Sequence, residues 1–463
     1  MRYLPQEPLM HNINLESDNI GVVGFGIEGS ATLDFLAHAG ARHVSLLDAN
    51  PALKISPAKK ELISKCILGS HYLQALETYD VIIKSPGIPL SRIPRSIRHR
   101  VTTATNIFLS LHRNKTIGVT GTKGKSTTSS LISHLLHTGH ISNKLVGNIG
   151  VPALSAVADD VSTFVFELSS YQLELTDTSP HGAVLLNLYP EHLDHHGNLE
   201  TYFEAKHKIH RFQEKSDYLV IPSTLADLPQ VKNTGGSRRI FGREASTAWL
   251  NGDVITYRDR TGTVHNLCRT NDLLIAGPGN HHNALAALSA IQHFDIPPKL
   301  LLEGLLSFKP LPHRLEPVET VGDITFINDS ISTVPEATLN ALETYSSRVH
   351  TLILGGFDRG VSFDSLVDYI LTSKVRLILL LPPSGERLRI TFEASPQFNS
   401  ELLTLTSVVS LDEAIKIAKA KTPKDHVCLL SPAAPSFPMF RDFVERGSAF
   451  KRLVQADNNS PEA

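Results

Sequence analysis

Short apolar runs alternate along this chain with longer stretches of helical periodicity, the signature of α/β architecture with parallel sheets. The pattern restarts three times. The first series opens with the run Ile20 to Phe25, which turns through glycine into a helix predicted over 30–38. Runs over 43–48 and 81–84 follow, the former ending in Asp48 and the latter in Ser85-Pro86-Gly87. The second series opens with Thr116 to Thr120 and a helix over 127–137, with further buried strands predicted over 163–167 and 183–188. The third places strands over 324–328, 351–354, 376–381 and 427–430. Asn114-Lys115 and Lys309-Pro310-Leu311-Pro312 are the natural joints. They give expected domains at 1–113, 114–311 and 312–463, in line with a length of 463 residues at roughly 150 per domain.

Charge adds an exclusion. Lys and Arg total 44 against 46 acidic residues, a net charge of −2, so no basic excess points to nucleic acid. The polar start of the chain has no signal-peptide core, and the run Val375 to Leu381 is far too short to span a bilayer. Cys66, Cys268 and Cys428 lie far apart without a CxxC pair, which speaks against a zinc ribbon and for a reducing compartment. The expectation is a cytoplasmic protein without membrane insertion.

Two glycine-rich turns carry the candidate chemistry. Gly24-Phe25-Gly26-Ile27-Glu28-Gly29 follows a strand and opens a helix, as a diphosphate-binding turn does, and Asp48 stands where a ribose would be met. Alone, this pair also fits an NAD-dependent oxidoreductase. Gly121-Thr122-Lys123-Gly124-Lys125-Ser126-Thr127 keeps the core of a nucleoside-triphosphate loop, although Val119 stands where the strict pattern has glycine. Its backbone would cradle phosphates, with Lys125 on the β/γ oxygens and Ser126 on Mg²⁺. Glu167 ends an apolar strand in the same series, where a carboxylate is able to meet a cation, although the segment by itself reads first as a helix-capping or surface glutamate. Glu191 to Gly197 is rich in histidine, yet its spacing does not fit an HExxH zinc helix. Lys206 by itself reads as a solvent-facing lysine, and Asn280 and Asn283 as helix-capping residues or base contacts.

Taken in order, several segments resemble the Mur ligase family nearly end to end, and within it the glutamate-adding branch (MurD type). They are Val119 to Thr127, Gly147-Asn148-Ile149-Gly150, Glu167 to Gln172, Asn187 to Asp194, Leu311 to Arg314, Asn328-Asp329-Ser330, Gly355 to Gly360 and Leu430 to Ser436. The resemblance implies a Rossmann-like N-domain for UDP, a central P-loop ATPase domain and a Rossmann-like C-domain for the incoming amino acid. It turns the first glycine loop (Gly24, Gly26, Gly29) with Asp48, Ser85, Pro86 and Gly87 into a site for UDP. Asn148 and Ser169 become contacts to a muramoyl-alanine substrate. Lys125, His192 and Lys206 become catalytic residues. Ser126, Glu167, His192 and Lys206 become holders of two Mg²⁺ ions, with Lys206 carbamylated. Asn280, Arg314 and Asp329 join the ATP contacts, with domain closure expected, and Thr333, Arg359, Ser436 and Phe443 surround glutamate.

The implied enzyme is a monomer using ATP, glutamate and UDP-N-acetylmuramoyl-L-alanine. D-glutamate is the expected substrate. L-glutamate is the alternative, because Ile331 stands where the common D-glutamate pattern has lysine and Arg359 where many relatives have lysine.

Overall fold

In a computed structural model, residues 13–191, 193–345 and 348–456 are described. The strands form three sheets. The first contains β1 (Ile20–Val23), β2 (Val44–Asp48), β3 (Lys65–Leu68), β4 (Val81–Lys84) and β5 (Val101–Thr102), in the order β3-β2-β1-β4-β5, and the pairs are parallel. This is the open, doubly wound arrangement expected when buried strands alternate with helices.

The second sheet has nine strands: β6 (Thr116–Thr120), β7 (Asn143–Gly147), β8 (Thr163–Glu167), β9 (Gly182–Leu185), β10 (Tyr218–Pro222), β11 (Ser237–Phe241), β12 (Ala248–Asn251), β13 (Val254–Arg258) and β14 (Val264–Arg269). Their order is β14-β13-β12-β11-β10-β9-β6-β8-β7, parallel except where β12, β13 and β14 pair antiparallel. The third sheet follows β15 (Glu316–Val321), β16 (Ile324–Asn328), β17 (Val349–Gly355), β18 (Leu377–Leu381), β19 (Thr404–Ser407) and β20 (Val427–Leu430) in the order β15-β16-β20-β17-β18-β19. Only the β15–β16 pair is antiparallel. Three parallel-rich α/β sheets are the class that the alternating pattern predicts.

The chain divides into two compact units, Met1–Leu273 with Gly279–Phe308, and Leu274–Pro278 with Lys309–Ala463. Within the first unit one apolar core runs through both sheets, from Ile20, Val22 and Leu46 to Phe164, Phe166 and Leu185. Phe108, on the helix Ala104–His112, sets its ring edge-on to Phe164 and Phe166, with centroids 5.1 and 5.3 Å away.

Element ends depart from expectation for local reasons. The strand expected over 183–188 stops at Leu185, since the chain then leaves the sheet to brace the phosphate loop, where Thr122 N donates to Asn187 O. The helix expected from Ser30 begins at Ile27, directly after Gly26.

The first glycine loop is built by close packing. Gly24 adopts φ +94° against Ser85, and a Cβ at Gly29 would come within 1.9 Å of the Gly24 carbonyl oxygen. A Cβ at Gly26 would meet nothing within 4 Å. Gly29→Ala is therefore expected to destabilise the first unit by about 2–4 kcal/mol, whereas Gly26→Ala stays within about 0.5 kcal/mol. Equal denaturation midpoints for the two variants would contradict this account.

Candidate active site

The central site grows from the C-terminal ends of four neighbouring strands. Val119 of β6 is in register with Glu167 of β8 and Val184 of β9, and Gly147 of β7 is in register with Glu167. The phosphate loop leaves β6 and enters the helix Lys125–Thr138 through Gly124, which adopts φ +84°. A Cβ at Gly124 would approach Asn283 Oδ1 to 2.4 Å, and Asn283 Nδ2 donates to Asn280 Oδ1 at 3.1 Å. The structure thus brings Asn280 and Asn283 to the loop.

The loop is braced from behind. Lys123 N donates to Asn187 Oδ1 at 2.8 Å, and Asn187 Nδ2 returns a bond to Lys123 O at 3.1 Å. Thr122 Oγ1 is a hub: it receives Tyr189 N at 3.0 Å and the Tyr202 hydroxyl at 3.1 Å. Lys125 Nζ donates to the carbonyls of Gly121 and Thr122, at 3.0 and 2.9 Å. Lys123 pairs with Glu191 at 2.6 Å. Sequence alone assigns no role to Asn187 or Tyr202. Asn187 opens the segment Asn187 to Asp194, and Tyr202 sits one helical turn before Lys206, a spacing that shares a face.

Glu167 is completely buried. Its Oε1 accepts from Asn148 Nδ2 at 2.7 Å, while its Oε2 is buried without a hydrogen-bond partner. A buried carboxylate oxygen with nothing to accept is costly, and a cation relieves it, so the residue fits a metal-binding role. Lys206 is also buried rather than solvent-facing, at 1% exposure. Its Nζ donates to Gly121 O at 2.8 Å and stands 4.7 Å from the centre of the Tyr202 ring. Burial, followed by repulsion from Lys125, pushes its amine well below the usual lysine range, with Glu191 opposing. A neutral amine is the form that adds CO₂, so Lys206 fits carbamylation. His192 lies outside the described residues.

The first glycine loop sits in the same unit. Asp48 Oδ2 accepts from Phe25 N at 2.7 Å, and Ser85 Oγ donates to Gly24 O at 3.0 Å, so both close the loop. Glu28 accepts from Gln172 Nε2 at 2.6 Å, and burial pushes its carboxyl up. Gln172 belongs to a capping box with Ser169, which caps the helix Ser170–Leu173. Hydrogen bonds thereby connect the first glycine loop to the segment after Glu167.

In the second unit, loops from β16, β17 and β20 meet. Asp329 N donates to Leu430 O at 2.8 Å, and Phe357 N to Pro435 O at 2.9 Å. Asp329 is buried; it accepts from Ser431 Oγ at 2.8 Å and Leu315 N at 3.1 Å, and burial pushes its carboxyl up to about 6 against those bonds and nearby Arg314. Arg314 Nε is buried without a hydrogen-bond partner. Ser436 is buried beside the 355–357 turn, Phe443 O receives Ser330 Oγ at 2.8 Å, Thr333 is half-buried, and Arg359 is exposed. The residue that sequence reasoning missed is Arg446, only 1% exposed. It donates to Ser330 Oγ and O at 3.0 and 2.8 Å and to Ala434 O at 3.0 Å, tying two of these loops to the helix Phe443–Gln455. Its sequence signal is only an arginine among polar helix positions, which gives no sign of burial.

Residues 119–291 match the Mur ligase middle domain. A UDP-N-acetylmuramoylalanine--D-glutamate ligase of Symbiobacterium thermophilum is 32% identical over 95% of this chain and 98% of its own length. A UDP-N-acetylmuramoyl-L-alanine--L-glutamate ligase of Salinispora tropica is also 32% identical, over 96% of this chain and 98% of its own. The fold is shared with the UDP-N-acetylmuramate-alanine ligase of Thermotoga maritima, at TM-score 0.59 and 19% identity over 95% of this chain and all of that one. The chain belongs to the Mur ligase family. Its full-length relatives here are glutamate ligases of both stereochemical kinds.

Lys206→Met keeps the apolar stem and removes a buried, sparsely bonded amine, and Gly121 O retains its bond from Lys125. The variant is expected to raise the stability of ligand-free protein by about 1–3 kcal/mol while abolishing turnover. Thermal melting alongside a phosphate-release assay checks both halves, and a less stable variant would contradict the buried-amine account.

Proposed function

We propose that this chain joins glutamate to UDP-N-acetylmuramoyl-L-alanine at the expense of ATP, as a step in peptidoglycan precursor synthesis. The observation that carries the reading is the pairing, at one phosphate loop, of an orphaned buried carboxylate oxygen on Glu167 with the buried amine of Lys206. The oxidoreductase alternative leaves that loop without a role.

In this reading residues 1–113 bind the UDP moiety, 114–311 the ATP, and 312–463 the glutamate. Gly24, Gly26, Gly29, Asp48 and Ser85 to Gly87 receive UDP, with Asn148 and Ser169 toward the muramoyl-alanine. The phosphate loop and Asn280 take the triphosphate, with Arg314 and Asp329 as further nucleotide contacts. Ser126, Glu167, His192 and carbamylated Lys206 would hold two magnesium ions. Bound magnesium supplies charge stabilisation on the phosphoryl oxygens.

The alanine carboxylate attacks the γ-phosphorus, giving an acyl phosphate and ADP. Lys125 stabilises the charge that builds on the transferring group. The glutamate amine then attacks the acyl carbon, and inorganic phosphate leaves as the amide forms. Thr333, Arg359, Ser436 and Phe443 orient the glutamate, and Arg359 is suited to pair its side-chain carboxylate in a bidentate way. The protein works as a monomer in the cytoplasm; among the described residues no helix is long and apolar enough to cross a membrane.

D-glutamate is the first reading of the amino acid. L-glutamate is the second, favoured by the Asn328 to Thr333 segment, in which Ile331 replaces a cation, and by L-glutamate-adding relatives at the same level of identity.

Phosphate release with UDP-N-acetylmuramoyl-L-alanine, ATP and Mg²⁺ should require glutamate and be faster with the D-isomer. Faster release with L-glutamate selects the second reading, and no release with either overturns both. Lys125→Ala should cut acyl-phosphate formation by at least about a hundredfold with the fold intact. Unchanged phosphate release in that variant would remove Lys125 from its role.

A further inference from the structure

A second group of metal-ligating side chains lies in the first unit, and none of its members belongs to the set assigned to magnesium. Glu174, His195 and His196 each offer one ligand atom, and these atoms all lie within 4.8 Å of one another. Two short helices supply them: Glu174 follows the helix Ser170–Leu173, and both histidines end the helix Leu193–His196. About twenty residues of chain separate the two sources, so no local motif spacing reveals the group.

Its polar atoms are poorly used. The side chains of His195 and Glu174 are 8% and 17% exposed, and their facing atoms, Nε2 and Oε2, stand 3.7 Å apart. His195 Nε2 has no hydrogen-bond partner, and Glu174 Oε2 has only the Lys84 ammonium, 3.4 Å away. That separation is too long for a shared proton and close to the roughly 3.4 Å between donors on a tetrahedral ion with arms of about 2.0–2.1 Å. His196 is buried, and its Nε2 lies 3.0 Å from Ser170 Oγ. A hydrogen bond on one ring nitrogen is the usual way to orient the other toward a metal. The Tyr171 ring packs edge-on against His195 at 4.3 Å and parallel to His196 at 5.6 Å, which restricts both imidazoles.

One cation already stands nearby. Lys84 Nζ is 3.4 Å from Glu174 Oε2, while it donates to the carbonyls of Ile88 at 2.7 Å and Ser85 at 3.3 Å. The ammonium is anchored on backbone and balances the carboxylate from one side.

We propose that Glu174, His195 and His196 form a site for a borderline-soft divalent ion of the zinc class, with solvent as the fourth ligand. Two imidazoles and one carboxylate suit Zn²⁺ or Co²⁺, whereas Mg²⁺ selects oxygen donors. The ion ties the end of one short helix to the other.

The test uses the full-length protein, stripped with chelator and kept in millimolar Mg²⁺ so that the oxygen-rich positions are filled. Titration with Co²⁺ should give the intense visible bands of a tetrahedral ion at one equivalent, displaced by Zn²⁺. Glu174→Gln and His195→Asn should each weaken binding by at least about tenfold, and Lys206→Met should leave the bands in place. If Glu174→Gln fails to fold, His195→Asn carries the comparison. Weak octahedral bands only, retention unchanged in the folded ligand variants, or loss of the bands in Lys206→Met would each overturn the proposal.

Discussion

The candidate site stands on the apolar seam between the first two sheets. Phe108 presses its ring edge-on against Phe164 and Phe166, and a single buried cluster runs from β1 through to β9 and β10. Edge-to-face packing of this kind fixes orientation as well as burying area. Polar ties then cross the same seam. Gln172 donates to Glu28, Asn106 Nδ2 donates to Leu175 O at 2.9 Å, and Lys84 pairs with Glu174. The first glycine loop and the phosphate loop therefore belong to one packed body, and the spacing between them is set by side-chain packing rather than by a linker. Bringing reactants together accounts for much of catalysis in a multi-substrate ligase.

The protein buries ionisable groups that a purely structural design would avoid. Glu167, Lys206 and Lys84 are all at or below 1% exposure in the first unit, as is Arg446 in the second. The means of accommodation differ. Arg446 is spread over carbonyls and a hydroxyl, and burial pulls its guanidinium down to about 9. Lys84 has a carboxylate partner. Glu167 and Lys206 are the least compensated, and they flank the phosphate loop. Poorly compensated buried charge concentrated in one place is the mark of a functional site rather than of a stabilised core.

How much of this was legible in the sequence depended on how buried each element is. Strands covered on both faces, such as β6, β8 and β20, read as unbroken apolar runs and matched residue for residue. The edge formed by β11 to β14 escaped notice because half-exposed strands such as Ser237–Phe241 and Val264–Arg269 carry arginine, histidine and asparagine on their open faces. The glycine loops were visible because Gly24, Gly29 and Gly124 stand where a side chain would be strained or would clash. Lys206 was not visible from its own segment: nothing local distinguishes a lysine whose amine is capped by Gly121 O from one in water, and only the resemblance singled it out. Arg446, which binds Ser330 and Ala434 from over a hundred and from twelve residues away, is likewise a fact of tertiary structure. The link from Glu28 to Gln172 spans 144 positions and has no local signature either.

The shared aromatic seam has a consequence for engineering. Residues before β6 look like a self-contained cassette when drawn as a topology, yet the Phe108 face is finished only by rings from β8. Grafting that cassette onto a different core would expose a greasy surface on both halves. Such chimeras should fail by aggregation before any binding is put to work, unless the recipient supplies matching rings.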